Sequence, residues 1–263
     1  MAKKSNIDTK LYAKTSEPER SLIKILPKKS GRNNEGKITT RHKGARQKRY
    51  YRLIDWKRDK FDVVGTIKTI EYDPNRNAQI SLVEYEDGEK RYILHIDGLN
   101  IGDKILSGEE IEFKPGNATY LKNIPLGMEV SCVELYPKQG AQIIRSAGSY
   151  AVVLAKEGRY VHLKMPSREV RRVFADCMAV IGRISNAGHR FENISKAGRN
   201  RLKGIRPTVR GVAQNPHDHP HGGGEGKTGE GRKPKTPWGK PARGVKTRKP
   251  NKYSDKFIVN KRK

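Results

Sequence analysis

The 263-residue sequence contains only two cysteines, Cys132 and Cys177, and neither has a second cysteine at metal-ligand spacing. This excludes a disulfide-stapled scaffold and a zinc ribbon, and predicts two apolar, buried thiols in a reducing compartment. Hydrophobic residues are scarce, at 34% with 7% aromatic. Ordinary globular domains hold about 45 to 50%, so a packed core can occupy only part of this chain. Long apolar runs are missing as well. The longest, Tyr150 to Ala155, has six residues, far short of a membrane-spanning helix. The first twenty residues contain Asp8, Glu17 and Glu19 and no hydrophobic stretch, so no secretory signal is expected and the protein is read as intracellular. Neither a basic amphipathic helix nor a lipidation signal is present, which argues against a membrane partner.

Acid is in short supply too. The 28 Asp and Glu face 56 Lys and Arg, a formal charge of +28. Folding such an excess onto itself costs self-repulsion unless a polyanion compensates it, and nucleic acid is the first candidate. The excess is uneven: +13 over residues 1–60, −7 over 61–136, +8 over 137–200 and +14 over 201–263. Apolar residues are uneven in the opposite sense, at 17 in residues 1–60, 60 in 61–200 and 12 in 201–263. A globular centre is therefore expected between two cationic extensions. The last 63 residues hold ten Gly and seven Pro, a composition that cannot supply a core of its own and orders against a partner.

In the centre the hydrophobic period is two rather than 3.6, with Gly, Pro, Asn and Asp every eight to twelve residues, which predicts short strands. Strands are expected over residues 61–72, 78–86, 89–96, 111–113, 128–135, 149–155, 160–164 and 177–184, with residues 169–174 fitting strand or helix. Asp87-Gly88 lies between two alternating runs, a strong hairpin signal, and Lys156-Glu157-Gly158-Arg159 reads as another turn. Many antiparallel strands without interleaved long helices indicate small barrels. The change of charge near residue 136 and the breaks at Pro125 and Pro137 divide the centre into two modules. The expected organisation is a basic extension over 1–60, barrels over 61–125 and 126–200, and a Gly/Pro-rich basic extension over 201–263.

Three stretches carry candidate chemistry. The first includes Arg41, His42, Lys43, Arg46, Lys48, Arg49, Tyr50, Tyr51 and Arg52. Guanidinium groups bind phosphate oxygens in a bidentate fashion, ammonium groups act as point charges, and tyrosine offers a stacking face. The second includes Lys196, Arg199, Arg201, Lys203 and Arg206 and is followed by Arg210, with glycines that permit close backbone approach to phosphate. A long helix is disfavoured there by Gly198, Gly204 and Pro207. The third is His217-Asp218-His219-Pro220-His221 followed by Gly222, Gly223, Gly224, Glu225, Gly226 and Lys227. Alternate histidines could chelate a metal, a His beside an Asp could serve as general base, and the glycine run is one residue short of a phosphate-binding loop. The competing reading is a glycine-rich strand threading where side chains would clash, with its histidines donating to phosphate or ribose.

The segment from Gly211 to Gly226, which contains most of the third stretch, resembles the signature of the large-subunit ribosomal protein two family. Thr236-Pro237-Trp238-Gly239, Lys256-Phe257-Ile258-Val259, Arg41-His42-Lys43-Gly44, Gly140-Ala141-Gln142, Arg145-Ser146-Ala147-Gly148 and Lys164-Met165-Pro166-Ser167 also match its pattern, in order and over nearly the whole chain. The resemblance implies a mainly β protein with an OB-fold followed by an SH3-like barrel, and irregular extensions threaded through ribosomal RNA near the peptidyl-transferase region. It implies a structural, primary RNA-binding role supporting subunit association, tRNA binding and peptide-bond formation, rather than enzymatic activity. A disputed alternative in the family gives the histidine matching His219, with Asp218, a direct part in peptidyl transfer. The implied partners are large-subunit ribosomal RNA, small-subunit RNA at the interface and neighbouring ribosomal proteins. No cofactor, metal, membrane or free homo-oligomer is expected. The long tail ending in Phe257-Ile258-Val259 points to the cytoplasmic ribosome of a bacterium, with an organellar ribosome second.

Overall fold

The alternating segments become strands in a computed structural model that describes residues 17–261. The part of the predicted N-terminal extension before Glu17, Asp8 included, lies outside the described residues. Two units emerge from the contacts within the chain. The first takes the described residues up to Leu26, then Arg49–Asn193, and the residues from Ser254 onward; the second takes Pro27–Lys48 and Ile194–Tyr253.

The first unit begins with β1 (Ile23–Ile25) and β2 (Tyr50–Arg52), antiparallel with Lys24 opposite Tyr51. The first barrel is built on β3 (Gly65–Glu71), β4 (Ile80–Tyr85), β5 (Lys90–Leu94) and β6 (Lys104–Ile105), in the order β5-β4-β3-β6. β3 carries an irregularity between Ile67 and Thr69. One extra residue reverses the side-chain phase, so Ile67 and Ile70, three apart, both lie in the core. The β4–β5 turn forms where the Asp-Gly signal predicts it. Gly88 has φ +82 and donates its N–H to the Tyr85 carbonyl at 2.9 Å.

The second barrel comprises β7 (Ala118–Tyr120), β8 (Glu129–Ser131), β9 (Ala151–Glu157), β10 (Tyr160–Lys164), β11 (Val170–Phe174), β12 (Met178–Ile181) and β13 (Ile258–Asn260), in the order β13-β11-β10-β9-β8-β12-β7. β10 shows the period of two most plainly: Val161 and Leu163 are fully buried while Tyr160 and His162 are only partly so. Burying each aliphatic side chain contributes about 1.5 to 3 kcal/mol. The ambiguous segment 169–174 is a strand, held between β10 and β13. The fold is mainly β, an OB-fold followed by an SH3-like barrel.

Two expectations need correction. Residues 111–113 form no strand. The Glu112 carbonyl is taken by the Asn117 side chain at 2.9 Å and by the Lys114 N–H at 2.8 Å, and Pro115 follows, so the segment is tied into a loop rather than a ladder. The chain's last described residues also fold back onto the second barrel. β13 pairs with β11, and Phe257, 8% exposed, packs against Phe174, Tyr160 and Tyr136 with ring centroids 6.0 to 6.5 Å away.

Both cysteines are free thiols. Cys177 is buried, Cys132 is half-buried, and burial pushes each thiol up to about 12, which keeps them protonated and poorly reactive. No described helix is long and apolar enough to cross a membrane.

Candidate nucleic-acid interface

The second unit carries most of the charge. Its 82 residues hold 24 Lys or Arg against Glu35, Asp218, Glu225 and Glu230, a net +20 of the chain's +28. Lys37 pairs with Glu35 at 2.9 Å and Arg243 with Glu230 at 3.4 Å. Four acids cannot offset 24 cations, so the excess remains available to an external polyanion.

The two basic stretches, about 150 positions apart in sequence, are joined by backbone. Gly44 donates to the Gly204 carbonyl at 2.9 Å, Gln47 to Leu202 at 2.9 Å and Arg206 to His42 at 3.0 Å, and Lys43 bridges Ile205. This brings Arg41, His42, Lys43, Arg46 and Lys48 beside Arg199, Arg201, Lys203 and Arg206. The second stretch does form a helix, α1 (Ala197–Lys203), of seven residues. Gly204 stops it in the left-handed region, φ +89, and its N–H returns to the Arg201 and Asn200 carbonyls. That is the usual glycine C-terminal stop. Space explains both glycines of the joint. A Cβ on Gly204 would sit 2.9 Å from the Arg46 Cβ, and one on Gly44 2.9 Å from the Arg206 Cγ.

The predicted run from Arg41 to Arg52 is divided between the units. Arg49, Tyr50, Tyr51 and Arg52 belong to the first unit, where the Arg49 guanidinium donates to the Pro74 carbonyl at 2.6 Å and Arg76 lies over the Tyr51 ring at 5.8 Å. The same unit holds an aromatic-cation group that the charge runs do not signal. Trp56 receives both Arg76, at 5.6 Å, and Arg145, at 4.7 Å, and Gly140, φ +79, leaves room against the Trp56 backbone.

The histidine and glycine stretch is a tight, self-braced loop. His219 and His221 are 8% and 7% exposed, with rings 5.1 Å apart. His221 Nε2 accepts the Lys235 N–H at 2.8 Å, which leaves Nδ1 as the donor to the Glu230 carbonyl at 3.1 Å. His219 Nδ1 accepts the His221 N–H at 3.0 Å. The glycines are required by contact: a Cβ on Gly211 would lie 2.4 Å from the His219 ring, on Gly222 2.4 Å from the Asn215 carbonyl oxygen, and on Gly223 2.6 Å from the Pro216 ring. Gly224 stands similarly close to Thr228, while Arg210 and Lys227 are exposed. Asp218 and His219, adjacent in sequence, line different clefts: Asp218 with Arg41 and Trp238, His219 with Arg210, His221 and Lys235. Among the described residues no group of three or more His, Cys, Asp or Glu is placed to hold a metal ion.

Trp238 was visible in the sequence only as part of a matched motif. It stands 74% exposed in a tight turn in which Thr236 N–H donates to the Lys240 carbonyl at 2.7 Å and Gly239 N–H to the Thr236 carbonyl at 2.9 Å.

Comparison with known families gives two matches. Residues 19–107 match the family described as Ribosomal Proteins L2, RNA binding N-terminal domain, and residues 114–239 match Ribosomal Proteins L2, C-terminal domain.

Proposed function

The chain belongs to the ribosomal protein L2 family, a structural, RNA-binding constituent of the ribosome, and from that premise we propose that its cationic unit braces large-subunit ribosomal RNA near the peptidyl-transferase region. The observation that carries this reading is the joint at Gly44 and Gly204, which gathers cations from both extensions onto one unit with a net +20. A single fold carrying that excess can neutralise phosphates where several RNA helices approach one another. In this reading the barrels, with β13 returned to the second of them, dock on folded RNA, and residues 27–48 and 194–253 of the two extensions thread it. Small-subunit RNA and neighbouring ribosomal proteins complete the surroundings, in the cytoplasmic ribosome of a bacterium or in its organellar counterpart. Subunit association, tRNA binding and peptide-bond formation are supported through the RNA.

The alternative, direct chemistry by His219, is less well supported by the geometry. A general base oriented by a carboxylate needs that carboxylate on its Nδ1–H. Here His219 Nδ1 already accepts a backbone amide, and Asp218 lines another cleft.

Residue-level crosslinking of the full chain to large-subunit RNA tests the brace. Crosslinks should concentrate at residues 41–48, 196–210 and 219–227, with Tyr50 as an outlying contact. Crosslinks confined to the barrels would refute it.

A further inference from the structure

Most of the cationic unit looks built for phosphate, but one cleft does not fit that use. It is lined by Arg41, Val209, Gln214, Asn215, Asp218 and Trp238, among others. A carboxylate repels a phosphate set against it, so the Asp218 end of the cleft suits a hydrogen-bond donor, while the Arg41 end suits an anion. One end of each neighbouring amide is engaged: Gln214 Nε2 donates to the Val209 carbonyl at 3.1 Å, and Asn215 Oδ1 accepts the His217 N–H at 3.3 Å. The carboxylate of Asp218 and the guanidinium of Arg41 take part in no side-chain hydrogen bond or ion pair among the described residues. Beside them Trp238 presents a large exposed ring on a turn fixed by three hydrogen bonds, the third from Lys240 N–H to Thr236 Oγ1 at 3.2 Å.

We propose that this cleft receives a single unstacked guanine of the RNA, stacked on Trp238, with Asp218 accepting its edge and Arg41 holding an adjoining phosphate. The inference rests on the RNA-bracing reading and adds to it a base-specific contact. The chemistry selects the base. An ionised carboxylate only accepts hydrogen bonds and has two oxygens side by side. Guanine alone presents two adjacent donors, N1–H and the N2 amine, on one edge. Adenine and cytosine offer one exocyclic amine next to a ring acceptor, and uracil a single imide N–H flanked by carbonyls, so each would place an acceptor against the carboxylate. Unstacked bases bound to an aromatic face and read on their Watson–Crick edge are the general mode of sequence recognition in RNA.

The test uses the full chain and four single-stranded ribo-oligonucleotides, UUGUU, UUAUU, UUCUU and UUUUU, with tryptophan fluorescence and the Trp238→Phe chain to assign the signal. UUGUU is expected to bind roughly tenfold tighter than the others and to quench Trp238, in line with the discrimination of a two-hydrogen-bond contact. Asp218→Asn should erase the guanine preference while leaving general binding. Trp238→Ala should weaken every oligonucleotide by about 5- to 150-fold, and Trp238→Phe should retain most of the affinity. Equal affinity for all four sequences, or a guanine preference that survives Asp218→Asn, overturns the proposal. If large-subunit ribosomal RNA still binds with steep salt dependence in that case, the bracing role stands and only the base pocket falls. If that RNA binds without salt dependence, the premise itself has failed.

Discussion

Gly44 and Gly204 meet through a 2.9 Å backbone hydrogen bond, each so close to the other strand's side chains that a Cβ would collide with an arginine stem. The contact converts two remote cationic segments into one surface. Its dependence on glycine also makes it easy to break selectively.

Gly204→Val should open this joint. At φ +89 a β-branched residue is strained, and its Cβ would lie 2.9 Å from the Arg46 Cβ and 3.3 Å from the Gly44 oxygen, a combined cost of about 2 to 4 kcal/mol. Gly226→Ala is the control, because at φ +60 with nothing within 4 Å it should cost only about 1 kcal/mol. Limited proteolysis of the free chain should show faster cleavage within 27–48 and 194–253 for Gly204→Val alone, with the barrels unaffected. Equal protease sensitivity in the two variants contradicts the joint.

His219→Gln should leave peptide-bond formation intact in every particle that assembles. A glutamine oxygen can still accept the His221 N–H that His219 Nδ1 accepts at 3.0 Å, at a stability cost of about 1 kcal/mol. Peptidyl transfer per assembled subunit is the measurement. Its loss in fully assembled particles would instead favour the chemical role.

A pH effect should arise in the first barrel. His95 is 6% exposed, its Nδ1 lies 2.8 Å from Ser81 Oγ, and burial lowers its pKa to about 4 from 6.5. Between those values the unfolded chain binds a proton that the folded chain does not, so stability falls as pH drops from 6.5 toward 4, by at most about 3 kcal/mol. Thermal unfolding across that window should show the loss, and His95→Gln should flatten it. An unchanged slope in the variant would mean another group is responsible.

The barrels were legible because half-buried strands write their period into the sequence: Val161 and Leu163 alternate with Tyr160 and His162, and Gly88 marks its turn. The joint of the extensions was not. It is made by backbone groups of Gly44, Gln47, Leu202 and Gly204, which leave no side-chain periodicity to read. The return of Phe257 to the second barrel was hidden for a related reason, since its burial depends on Tyr136, Tyr160 and Phe174 far away in sequence. In sequence the glycines after His221 read as positions of close approach to RNA, whereas the crowding seen in the fold is internal to the loop. Their nearest neighbours at Gly222 and Gly223 are Asn215 and Pro216 of the same loop, so Gly223→Val strains the loop itself before any RNA is met.

The account turns on phosphate neutralisation by the joined extensions, and the salt dependence of binding to large-subunit ribosomal RNA measures it most directly. Ten phosphate contacts give a log-log slope of roughly −7 to −9, and replacing Arg199 and Arg201 together with Ala should reduce its magnitude by about 1.5. A steep slope that shrinks in the paired variant is the predicted result. An affinity that barely changes from low to moderate salt, or a slope indifferent to the loss of both arginines, would contradict it.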